Sequence, residues 1–298
     1  MTAKPPGFSG FKLVFIAGAN YSGSTLLSML LGSHPQIECL GQLYAVSGDI
    51  ESGDICQCGN MLLDCEFWSK VLVETGFWDT GGHQLQPICT EVRRGGALGK
   101  IFGLVVPRSP SHPNVYQNFN QEILRAASKL SGREILIDSS KIPHRLHWLL
   151  KTGVATEHDM HVIHLTRNGF GVVNSYKRRR YGVLRGSLAW RSRNDQVFKL
   201  FTQYPTIRSL RVRYEDICTR PHDTLTEVCD FLGLPFTPEI LKFRARSQHQ
   251  VGGNPIRHGG SEVIRLDEHW RHNLNKYDRS IFRTVAGNTQ QRLGYDLI

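Results

Sequence analysis

Gly18-Ala19-Asn20-Tyr21-Ser22-Gly23-Ser24-Thr25 places two glycines in the GxxxxG spacing, followed at once by hydroxyl residues. This is the spacing of a loop that cradles a phosphate. Ser24, however, stands where a nucleotide hydrolase carries lysine, which turns the reading away from ATP. Upstream, the run from Phe11 to Ala17 is apolar and β-prone, and downstream Leu26 to Leu31 is apolar and rich in helix formers. The glycines therefore sit on a strand-to-helix turn. There, free backbone amides and the positive end of a helix dipole face an anion, and Gly23 lets the backbone approach it closely.

Further strand-like runs lie at Glu134–Ile137, His161–Leu165 and Ser209–Val212, most followed by helix-compatible segments. With Lys12–Ala17 they predict an α/β fold with a central, largely parallel sheet. Ligands then belong at the carboxyl ends of the strands, at Asn20–Thr25, Asp138–Lys141, Thr166–Gly171 and Arg213–Asp216. Between residues 43 and about 125 the pattern gives way to glycine, proline and cysteine, read as an irregular substrate cap. Residues 1–10 read as a loose tail, and residues 1–298 as one domain without repeats.

The chain has 298 residues, 40% of them hydrophobic and 21% charged, enough to bury a sizeable core. No apolar run approaches the roughly 18–20 residues of a membrane span, and residues 11–17 are too short for a secretory signal, so a cytoplasmic protein is expected. The formal charge of +10 and pI near 9.4 imply an anionic partner: a nucleotide, an acidic glycan, nucleic acid or a lipid headgroup. Cys56, Cys58 and Cys65 lie close together with His83 and Cys89 beyond. A structural zinc is conceivable there, but the usual pair of CxxC motifs is absent, so free loop thiols or one disulfide are expected, and no metal.

Arg167 follows an apolar strand, and Ser175 lies eight residues later, about two turns into the next helix. A guanidinium fork and a hydroxyl so placed can converge on one phosphate. At this point the chain resembles the sulfotransferases that use 3'-phosphoadenosine 5'-phosphosulfate (PAPS), over residues 11 to about 275. The resemblance rests on Tyr21-Ser22-Gly23-Ser24-Thr25-Leu26-Leu27, on Asp138-Ser139-Ser140-Lys141, on the Arg167/Ser175 pair, on Arg213-Tyr214-Glu215-Asp216 with Phe231-Leu232-Gly233, and on Gly253 to Gly260 ahead of Trp270.

The resemblance implies a P-loop-like three-layer fold and transfer of a sulfuryl group to a hydroxyl, less readily an amine, by in-line attack. It implies that Tyr21 to Leu26 hold the 5'-phosphosulfate and that Arg167 and Ser175 hold the 3'-phosphate. Tyr214 would lie beside the adenine. Arg257, His258 and Gly259 would belong to the loop that closes over the nucleotide. PAPS would be the donor with no metal required, and the acceptor a small molecule, glycan or lipid, which the basic chain allows to be acidic.

Two departures stand out. Tyr21 replaces the family's basic residue ahead of Ser22-Gly23, leaving Lys141 as the substitute cation. Gln42 stands where similar sequences carry glutamate as general base, and an amide takes no proton at neutral pH. His34, Asp49, Glu51 and His144 are the alternative bases. Two other functions compete: a P-loop kinase with Asp138 on magnesium, which Ser24 opposes, and an impaired scaffold binding a polyanion. The latter would use Lys177-Arg178-Arg179-Arg180 with Arg185, Arg191 and Arg193, interleaved with Tyr176, Tyr181 and Trp190. A solvated basic helix face remains the simpler reading of that run, and no nucleic acid is expected.

Overall fold

The computed structural model describes residues 10–76 and 112–297. The expected tail up to residue 9 and the middle of the expected cap, with His83 and Cys89, lie outside the described residues. Strands β1 (Lys12–Gly18), β2 (Ile37–Gly41), β3 (Ile135–Lys141), β4 (Asp159–Thr166) and β5 (Arg208–Arg213) pair entirely in parallel in the order β2-β3-β1-β4-β5. The chain leaves central β1 towards one edge, returns to add β3, then crosses to β4 and β5. The strand order thus reverses beside β1, where parallel sheets open a crevice at their carboxyl ends.

Alternation along β1 builds the layers. Leu13, Phe15 and Ala17 face one core with Trp68, Ile123, Leu146 and Val197, while Val14 and Ile16 face the other with Leu27, Leu30, Leu225 and Val228. The second layer is supplied by α1 (Ser24–Gly32) and by α9 (Tyr214–Thr219) and α10 (Pro221–Leu232) after β5. The first is supplied by α2 (Val46–Ser52), α3 (Glu66–Glu74), α4 (Pro113–Ser131), α5 (Pro143–Lys151) and α6 (Val154–Glu157). A third cluster joins α7 (Gly169–Arg178) and α8 (Val183–Gln203) to α11 (Trp270–Asn273) and α12 (Lys276–Arg292) through Phe170, Trp190, Trp270 and Phe282. The fold is the expected three-layer α/β arrangement.

The expected cap differs in two ways: its described first part carries the regular helices α2 and α3, and its far boundary moves. The irregular stretch expected to run to about residue 125 ends earlier, because α4 is a regular helix of 19 residues that buries Tyr116, Phe119, Ile123, Leu124, Ala126 and Ala127. Pro113 opens it, where the missing N–H costs nothing, and Gly132 at φ 62 closes it in the left-handed region. Among the described residues no helix is long and apolar enough to cross a membrane.

Candidate active site

The turn after β1 is shaped by Gly23. At φ 90 it precedes the first residue of α1, and a Cβ there would stand 2.5 Å from Cδ2 of Tyr214. Only glycine lets α1 start against that ring. The first turn of α1 carries no acidic residue, so its amides open into a cavity of about 900 Å³.

Of the residues expected from sequence, Tyr21, Gly23, Ser24, Thr25, Leu26, Gln42, Lys141, Arg167, Ser175 and Tyr214 line this cavity. Ser22 is buried beneath the turn. Arg257 is also buried and reaches back to the Ile55 carbonyl at 3.1 Å and towards Asp54 at 3.8 Å, so it stands off the lining with His258 and Gly259. Asn20, Arg178, Arg179 and Asn254, named above in the turn, the basic run and the Gly253–Gly260 stretch, also line it, as do Arg244 and Arg265, which the sequence did not single out.

Arg167 directly follows β4, with its guanidinium almost wholly buried. It donates to the Tyr21 carbonyl at 2.9 Å and the Asp267 carboxylate at 3.1 Å, and stacks over the Tyr214 ring at 4.4 Å. Gly171 makes room for it, since a Cβ there would lie 3.0 Å from its Nε. Ser175 bonds the Gly171 carbonyl at 3.2 Å on the same wall.

Lys141 and Gln42 form the opposite wall. Lys141 ends β3 at φ 67, a conformation that side-chain-bearing residues avoid. Burial pushes its ammonium down to about 7, Arg193 acting in the same direction and Asp138 against. Oriented to satisfy its neighbours, the Gln42 amide oxygen accepts from Lys141 Nζ and Gly253 N, both at 2.9 Å, and its nitrogen donates to Tyr44 Oη. Gly41, at φ 80, allows this: its backbone lies against Val251, which accepts from Gln42 N at 2.8 Å and donates to the Leu40 carbonyl at 3.1 Å. Asn254 N then donates to Thr25 Oγ1 at 3.3 Å, so the segment from Val251 to Asn254 bridges the Gln42 wall and the first turn of α1.

Asp138 is fully buried. One oxygen accepts from Ser140 N at 2.9 Å and from the Ser140 hydroxyl, the other from Arg145 Nε at 2.7 Å. Among the alternative bases, His34 is buried and bonds the Pro235 carbonyl at 3.0 Å, and buried His144 packs against Trp148. Asp49 and Glu51 follow on α2. The basic run divides: Lys177 pairs with Asp278 at 2.6 Å, while Arg178 and Arg179 face the cavity and Arg179 lies over Tyr21. Tyr176 and Trp190 are buried and unable to stack on bases, and Tyr181 is exposed but covered by Arg185.

A phosphate-turn α/β fold with an arginine-lined cleft is the class these features define. A family model described as the sulfotransferase family matches residues 109–238. Over its whole length the chain has the fold of the sulfotransferase domain of the Synechococcus PCC 7002 olefin synthase, at 22% identity, TM-score 0.59 and full coverage of both chains. It is similar in fold to the sulfotransferase domain of the curacin biosynthetic pathway, at 19% identity and TM-score 0.54, covering 97% of this chain and 99% of that one. Sulfotransferase STF1 of Mycobacterium tuberculosis H37Rv is more distant, at 12% identity and TM-score 0.51, covering 92% of this chain and 77% of that one. No curated protein matches the sequence.

Proposed function

We propose that this chain is a PAPS-dependent sulfotransferase acting on a hydroxyl acceptor. The carrying observation is that one cavity is lined both by the turn that opens α1, Gly23 to Leu26, and by Arg167, Ser175, Arg178 and Arg179. A nucleotide phosphorylated at both the 5' and 3' positions of its ribose would offer one anion to each group, and Tyr214, against Gly23 on one side and Arg167 on the other, offers a ring for its base.

On this reading Ser22 to Thr25 hold the 5'-phosphosulfate, and Arg167 and Ser175 the 3'-phosphate. Lys141 supports the sulfonate and the oxygen that leaves. The acceptor hydroxyl oxygen attacks sulfur in line, the bond from sulfur to the bridging oxygen breaks, the leaving 3'-phosphoadenosine 5'-phosphate keeps the electron pair, and the hydroxyl proton passes to water, since Gln42 takes none. Positioning and charge stabilisation do most of the work, so amides and cations suffice without a metal. Kinase chemistry is disfavoured because Asp138 has both oxygens committed to Arg145 and Ser140, and the turn has no lysine. The buried Tyr176 and Trp190 likewise weaken the nucleic-acid reading.

Calorimetric titration without magnesium tests the assignment. 3'-Phosphoadenosine 5'-phosphate is expected to bind more tightly than ADP, and Arg167→Ala to reduce that preference by roughly 10- to 100-fold, the worth of a charge-assisted contact. Equal binding of the two nucleotides to the unaltered chain would overturn it.

A further inference from the structure

Cys56, Cys58 and Cys65 meet a residue from the far end of the sequence. Their sulfurs and one ring nitrogen of His249 all lie within 4.8 Å of one another. Cys65 Sγ is 3.6 Å from Cys56 Sγ, 3.7 Å from Cys58 Sγ and 3.2 Å from His249 Nδ1. A disulfide needs its sulfurs at about 2.05 Å, and these thiols are free. A tetrahedral zinc with bonds of about 2.0–2.3 Å sets its ligand atoms about 3.5–3.8 Å apart, close to the spacing seen. The expectation of loop thiols or a disulfide without metal overlooked the fourth group, which is not local in sequence.

The surroundings are built for thiolates. Cys56-Gln57-Cys58-Gly59 forms a tight turn, with Gly59 at φ 94 and Gly59 N donating to the Cys56 carbonyl at 2.9 Å. Backbone amides reach each sulfur: that of Cys58 to Cys56, that of Asn60 to Cys58, and those of Phe67 and Trp68, opening α3, to Cys65. The His249 ring is stacked on Phe67, centroids 5.4 Å apart. On either side of it, buried Gln248 donates to the Met29 carbonyl at 2.8 Å and buried Gln250 accepts from Ser28 Oγ at 2.7 Å. Sulfur ligands, a fixed imidazole and amide donors to the sulfurs together describe a closed structural metal site.

We propose that Cys56, Cys58, Cys65 and His249 bind zinc, clamping the turn at residues 56–59 to the segment that continues into Val251 and Asn254 beside the cleft. Binding releases the thiol protons to water and fills all four positions, so the ion is structural and leaves no site for substrate. This assignment does not depend on the nucleotide reading.

The test uses the full chain purified from zinc-replete medium without chelator. Elemental analysis is expected to give about one zinc per chain, and cobalt exchange the strong thiolate-to-cobalt absorption and tetrahedral bands of a three-sulfur, one-nitrogen site. Under chelator competition Cys58→Ala should retain metal at least tenfold less well, whereas Cys229→Ala, outside the cluster, should keep it. If Cys58→Ala does not fold, the cobalt spectrum of the unaltered chain decides. Zinc below about a tenth of an equivalent after incubation with excess metal, a spectrum without thiolate bands, or a mapped disulfide among the three cysteines would overturn the proposal.

Discussion

Lys141 combines a strained backbone with a buried charge in the cleft. Its left-handed backbone, φ 67, costs about 1–2 kcal/mol for a residue with a Cβ, and burial holds its ammonium down to about 7. An anion beside it would restore the charge, so binding takes up a proton wherever pH exceeds that value. Nucleotide affinity is therefore expected to be flat below about pH 7 and to weaken above it, by up to about tenfold per unit for one proton. Titrations from pH 6 to 9 in buffers of different ionisation enthalpy check this, and Lys141→Met should flatten the profile. Gln42 is the second position under test. Its oxygen already faces Lys141 Nζ and Gly253 N, so Gln42→Glu should seat a carboxylate without rearrangement and raise turnover by about 10²–10⁴-fold, the usual worth of a general base. Unchanged turnover in a sulfation assay would move the base elsewhere.

At the level of elements, α12 is tied down at its start. Asn275 accepts from Asp278 N at 2.9 Å, Asp278 accepts from Asn275 N at 3.1 Å, and Lys177 reaches the same carboxylate from α7. Asn275→Ala should cost about 1 kcal/mol and lower Tm by about 2 °C in thermal unfolding. Four strands were legible because β1, β3 and β4 each hold an apolar stretch and β5 alternates Leu210 and Val212 with polar residues. β3 runs on through Asp138 to Lys141 because Arg145 and Ser140 satisfy the buried carboxylate, a partnership no local pattern announces. β2 escaped notice: it is five residues long, and buried Glu38, facing Arg246 at 3.5 Å, interrupts its apolar character. α4 was diluted by Asn114, Gln117, Asn118, Asn120 and Gln121, of which Asn120 is buried to accept from Arg145. The cleft residues on the turn after β1 and on α7 follow a strand end and could be placed by spacing. Arg244 and Arg265 come from a stretch with little regular structure, where spacing carries no geometry.

Across the whole molecule, acid should be the weak side. Burial pushes both His158, stacked on Phe11, and His164, bonded to Asn194 at 3.0 Å, down to about 4. Below the ordinary histidine value near 6.5 the unfolded chain binds protons that the folded chain refuses. The contribution of these two rings should thus be constant above about pH 6.5 and turn against the fold towards pH 4, by up to about 1.4 kcal/mol per unit for each ring. Urea midpoints across that window measure it, and a flat profile would remove these rings from the account. The pairing of Gly41 with Val251 has a consequence for how the molecule comes into being. All five strands are complete by Arg213, yet Thr25 meets Asn254 229 residues later and Arg167 meets Asp267 100 residues later. Contacts of such separation close late, after the loop entropy of the intervening chain has been overcome. During synthesis the sheet and its phosphate turn can therefore exist before there is a finished pocket, and the nascent chain acquires its binding site only when the residues after about 250 emerge and dock.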